Sequence, residues 1–203
     1  MMKPEARPHS TTELFQALHR LGAGEFAHLN GTLAAHLHGT EALLSEWGAD
    51  AILCRAGLFH AAYGTAGFAQ AMAPLSLRPH IAELLGADAE RLVYLYCCCD
   101  RQVFYPRIGT DNQHRLPDRF TGGEHDLDAR SLRALCELTA ANESQIGAVS
   151  QNFRHQYGLA LLELFRRMDD LLSTPARHTV EKVFGASAAE QAGREAGSGR
   201  SRP

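Results

Sequence analysis

Apolar residues along this chain recur at intervals of three and four, and no run alternates with period two between turn residues. The pattern therefore predicts helices throughout and an all-α class. The stretch "TTELFQALHRL" (11–21) puts Leu14, Leu18 and Leu21 on one face, opens on a threonine cap and stops at Gly22. A longer helix, "TLAAHLHGTEALLSEW", starts at Thr32 and closes at Gly48, with Leu33, Leu37, Leu44 and Trp47 at helical spacing. Asp50 then opens "DAILCRAGLFHAAY", apolar nearly all round and so expected at the centre of a bundle.

After an Ala-rich segment (66–73), further helices are predicted from Pro79, from Asp88 in "DAERLVYLYCCCDR", over "DARSLRALCELTAANES", within 148–172 and near 177–184. Residues 102–127, with Pro106, Pro117 and the Gly122-Gly123 pair, read as a long polar loop of a length that suits a lid.

Length and composition bound this picture without changing its class. The 203 residues, 45% hydrophobic, suit one helical domain over 11–185 behind an N-terminal arm (1–10). The closing "GASAAEQAGREAGSGRSRP" is too small and polar to offset its ordering entropy, so 186–203 is expected to be disordered. The formal charge of -3 is interspersed, which gives no footprint for nucleic acid or an anionic membrane. No segment reaches the roughly 18 to 20 apolar residues of a membrane span, and the N-terminus lacks a secretory signal core. A cytoplasmic protein is expected. Three of the five cysteines are adjacent (Cys97, Cys98, Cys99), a poor disulfide layout, so the thiols are read as reduced.

The chemistry lies in histidines. Of eleven, His9, His19, His114, His125, His155 and His178 fall in loops or on polar faces. His36 shares a face with Leu33, Thr40 and Leu44, His60 closes the most apolar helix, and Asp100 follows "LVYLYCCC". A buried aspartate facing two neutral imidazoles needs either a cation or a complete hydrogen-bond network, and both remain open at this point.

His36 and His60 are 24 residues apart, separated by helix, glycine turn and apolar helix. This arrangement resembles the HD superfamily of metal-dependent phosphohydrolases, an all-helical fold marked by a histidine, a His-Asp doublet and a distant aspartate. "AGLFHAAYGT" and "ELLGADAERLVYLY" are similar to stretches of its (p)ppGpp hydrolases, and residues 26–101 also resemble an uncharacterised bacterial HD-like group carrying "HLxGT…WG…AGLFHxxYGT". The resemblance implies His36, His60 and Asp100 as metal ligands, with manganese, iron or zinc as the ion. Ala61 stands where the doublet has its aspartate, and Tyr63 and Gly64 replace the acids that follow.

Around that set, Tyr63 is a candidate proton donor and Arg101 a candidate partner for an anionic substrate. His28 and His80 are candidates for the pocket wall or for bonds behind the ligands. Cys97, three residues before Asp100, is either a thiolate ligand or a buried apolar cysteine.

Two functions are expected to compete. One is a metal-dependent hydrolase of a small phosphorylated or anionic metabolite, or an iron oxygenase of the kind that myo-inositol oxygenase represents in the superfamily. The other is a degenerate HD domain that binds a small ligand or protein partner without catalysis, for which Ala61 is the best support.

Overall fold

The computed structural model describes residues 10–23, 27–28 and 31–185, the side chains of 27, 28 and 31 excepted. The expected arm and tail therefore lie outside the described residues, apart from Ser10. The class is mainly α-helical, as the periodicity predicts. The chain divides into two compact units between Cys99 and Asp100.

In the first unit, α1 (Thr11–Arg20) is capped by Ser10 rather than by a threonine. Ser10 Oγ accepts the Glu13 N–H while the Glu13 carboxylate takes the Ser10 N–H, a reciprocal pair that neither Thr11 nor Thr12 can form with a glutamate three positions on. A two-residue strand pair, β1 (Ala27–His28) and β2 (Gly31–Thr32), leads into α2 (Leu33–Glu46), which Thr32 caps as predicted.

Asp50 caps α3 (Ala51–Phe59), but that helix stops four residues before the predicted end, at its C-cap His60. Residues 60–64 turn instead, with Gly64 at φ +72°. Residues 66–73 form no helix, and Thr65 and Phe68 bridge each other there. α4 (Arg78–Leu85) carries Pro79 in its first turn, the position where a missing N–H costs nothing. α5 (Ala87–Cys98) is capped by Gly86 at φ +90°, two residues ahead of the expected Asp88, which sits in the first turn.

α2 lies against α3, α3 against α5, and α4 against α5, with α1 touching α2 and α3. Leu18, Leu33, Leu37, Leu44, Leu58, Phe59, Ile81 and Leu95 fill the spaces between them. Gly57 of α3 faces Leu44 of α2, where an added Cβ would lie 2.5 Å from Leu44 Cδ1.

The second unit corrects the reading of 102–127 as a loop. Asp100 does not end a helix but caps a new one, α6 (Arg101–Phe104), by accepting the Gln102 N–H. A hairpin follows, β3 (Arg115–Pro117) paired with β4 (Glu124–Asp126). The buried Asp118 carboxylate closes its turn by accepting the Phe120 and Thr121 N–H groups and contacting His125 Nε2 at 2.9 Å.

α7 (Ala129–Val149), capped by Asp128, and α8 (Gln151–Arg167), capped by Ser150, pack on each other. The last helix, α9, spans 174–185. Glu137 of α7 holds its start by accepting the Ser173 N–H and hydroxyl. At the far end Gly147 gives α9 room, since a Cβ there would lie 2.6 to 2.9 Å from Val183 and Phe184.

Candidate functional site

α2 and α3 bring His36 and His60 together in the first unit. Both are buried, at 5% and 2% exposure, and their Nε2 atoms are 3.2 Å apart with the rings edge to face. His60 Nδ1 lies 2.7 Å from the Gly57 carbonyl oxygen. A carbonyl only accepts, so Nδ1 carries the proton, and in the neutral ring the His60 Nε2 lone pair points at His36.

The backbone on either side is also held. Thr40 Oγ1 donates to the His36 carbonyl, and Cys97 Sγ of α5 donates to the His60 carbonyl at 3.1 Å. The Tyr96 ring stands edge-on to the His60 ring at 5.5 Å.

The separation fits two states of the pair. Two nitrogens bound at about 2.1 Å to one tetrahedral ion lie about 3.4 Å apart, close to the observed gap. An N–H···N hydrogen bond has a similar length, with His36 as the donor. The Nδ1–H to carbonyl bond at His60 is the kind of support that orients a metal-ligating imidazole.

The other sequence candidates are placed differently. Tyr63 is buried and donates its hydroxyl to Glu90 Oε1 at 2.9 Å. Burial, with the Glu90 charge beside it, pushes the phenol well above its ordinary range, so Tyr63 is a poor proton donor and acts as a strut. Arg78 forks onto the same carboxylate, Nε to Oε1 at 2.7 Å and Nη2 to Oε2 at 3.0 Å, and stacks over the Tyr94 ring at 3.7 Å. Sequence reasoning missed this network. A signal was available, because Glu90 sits three, four and seven residues before the buried Val93, Tyr94 and Cys97 and so shares their inward face.

His80 is exposed on α4, with Nδ1 3.8 Å from Glu83, and is not part of the buried pair. His28 lies in β1 opposite Gly31. Ala61 is buried. Asp100 belongs to the second unit as the α6 cap.

Arg101 meets Glu143 of α7, Nη1 to Oε1 at 3.2 Å, and Asn142 Nδ2 donates to the same oxygen. Burial pushes the Glu143 carboxyl up, and the Arg101 guanidinium and the Asn142 amide oppose that rise without cancelling it. In the unfolded chain Glu143 ionises near its ordinary 4.5, whereas in the fold it keeps its proton to higher pH. Between those two points the folded state binds more protons, so stability falls as pH rises through that window. Glu143→Gln is expected to remove this slope. Urea denaturation of both proteins at a series of pH values checks it, and parallel curves would refute it.

All five cysteines are free thiols. Cys54 is the least buried of them, and burial with the nearby Glu41 and Asp50 charges pushes it up to about 11, so it offers no reactive thiolate.

What the first unit defines is a mainly helical protein with two buried, facing imidazoles delivered by adjacent helices. Residues 17–101 are similar to a family described as "Domain of unknown function (DUF6817)", a span that takes in His28, His36, His60, Tyr63, His80, Asp100 and Arg101. No curated protein and no solved structure matches the chain.

Proposed function

We propose that His36 and His60 bind one divalent transition-metal ion and that the protein is an HD-like, metal-dependent hydrolase of a small phosphorylated or otherwise anionic metabolite. The observation that carries this reading is the 3.2 Å approach of two buried Nε2 atoms, with the His60 tautomer set so that its lone pair faces the gap. Imidazole nitrogens suit zinc, iron and other first-row ions, and two protein ligands leave positions open. A divalent ion bound there lowers the pKa of a water toward neutrality and polarises a phosphoryl oxygen.

The chain's own part is to hold the two rings and to shield them from bulk solvent. Both ligands are neutral, so the ion's charge is left for an anionic substrate to balance. The buried Ala61 supplies no carboxylate at the doublet position.

A second reading rests on the same distance. As an N–H···N bond, the pair is satisfied without an ion, and Tyr63 and Arg101, the candidate catalytic groups, are each committed to a carboxylate. That arrangement suits a degenerate HD domain that binds a ligand or partner. Among the described residues no helix is long and apolar enough to cross a membrane.

Metal analysis separates the readings. Protein purified without a metal-binding tag is expected to carry near-stoichiometric manganese, zinc or iron, and His60→Ala to lose it. Manganese or zinc supports hydrolysis, while iron with dioxygen uptake supports the oxygenase variant of this reading. No metal in either protein after reconstitution refutes the metal site and leaves the binding domain.

A further inference from the structure

His60 is the C-cap of α3, so its carbonyl lies at the helix end, where carbonyls take hydrogen bonds from groups outside the helix. Cys97, fully buried and the last residue but one of α5, donates its thiol to that carbonyl, and the adjacent Tyr96 sets its ring at right angles to the imidazole. Two consecutive residues of α5 thus hold the two ends of His60, backbone and ring.

The ring's own anchor depends on that hold. The Nδ1–H reaches the carbonyl three residues back, at Gly57, only while residue 60 keeps its helical backbone, observed at φ -60° and ψ -14°. If the His60 carbonyl is released, the last turn frays, the Gly57 bond loosens and the tautomer is no longer fixed. A thiol that donates a hydrogen bond is protonated, whereas a metal-ligating sulfur is a thiolate, so the geometry gives Cys97 a role different from both sequence expectations.

We propose that Cys97 and Tyr96 are positioning residues for His60: the Cys97 thiol fixes its backbone and the Tyr96 ring its imidazole, and together they hold Nε2 unprotonated and aimed at His36. This rests on the metal-binding reading for its effect on affinity. The positioning itself is readable in metal-free protein.

The experiment uses the full chain, as wild type, Cys97→Ala, Cys97→Ser and Tyr96→Leu, with cobalt(II) as the metal probe. In metal-free wild type, long-range proton–nitrogen NMR of the His60 ring is expected to show Nδ1 protonated and Nε2 bare. Cys97→Ala is expected to mix the tautomers and to weaken cobalt binding about tenfold, the usual size of such supporting effects. Tyr96→Leu is expected to weaken it by a smaller factor. Cys97→Ser, which keeps a donor, is expected to restore the wild-type tautomer and bind cobalt within about threefold of wild type.

A single wild-type tautomer and wild-type affinity in Cys97→Ala would overturn the inference alone. A sulfur-to-cobalt charge-transfer band in wild type, lost with the metal in Cys97→Ser, would overturn it by making Cys97 a ligand. Wild type that takes up no cobalt refutes the metal-binding reading, and the NMR of the metal-free proteins then still decides whether Cys97 and Tyr96 fix His60.

Discussion

Arg78→Ala is expected to destabilise the fold by about 2 to 3 kcal/mol, below the roughly 3 to 5 kcal/mol seen when a fully buried ion pair loses one partner. The discount is for exposure, since the Arg78 side chain is 35% exposed while that of Glu90 is 7%. With the guanidinium gone, the Glu90 carboxylate keeps the Tyr63 hydroxyl but loses a two-point, charge-assisted partner in a place water barely reaches. The Tyr94 ring also loses the cation stacked on it.

Adding Glu90→Gln to the Arg78 variant removes the buried charge and is expected to recover part of the loss, a coupling that denaturant unfolding of the four members of the cycle measures. If the single variant costs under about 0.5 kcal/mol, the network is no more than a surface ion pair.

Phe184→Ala is expected to cost about 3 to 5 kcal/mol, the range for emptying a buried phenylalanine site. Phe184 is fully buried and lies with its ring 6.0 Å from that of Phe165, so it ties α9 to α8 as well as to the notch at Gly147. Gly147, on the facing side, has no side chain to extend into the void. Hydrogen exchange is expected to show lost protection over 174–185, and denaturant unfolding to show the free-energy loss. Unchanged exchange there would mean that α9 is held by Glu137 and its cap alone.

Much of the helical framework was legible because start signals and apolar periodicity agree at Thr32 and Asp50, each of which starts the helix it was expected to start. Two starts were misread for local reasons. At 10–12 three hydroxyl residues compete, and only the glutamate three positions after Ser10 decides between them. At 86–88 the positive φ of Gly86 breaks the chain before Asp88 can serve as the cap.

The β3–β4 hairpin left no trace in the pattern because its strands are three residues long, too short for alternation to register. It is held by the fully buried Leu116 and by Asp118 in the turn, with Arg107 and Arg115 adding exposed ion pairs to Glu124. The nearness of His36 to His60 could be inferred from two histidines on inward faces of consecutive helices. The tie from Tyr63 to Glu90 could not be inferred from spacing alone, because no period relates residues 27 apart in separate elements.

Gly57 carries one further consequence. Its missing side chain lets α2 and α3 approach closely enough for the imidazoles to face each other, and its carbonyl sets the His60 tautomer. The span of the site and the packing of the two helices are therefore one variable. A side chain at 57 would meet the end of Leu44, so either that side chain turns aside or the two helices part, and parting widens the gap between the nitrogens. A change at 57 is therefore felt at 44 and, through the helix packing, at the histidines, which makes position 57 a lever on what fits between them.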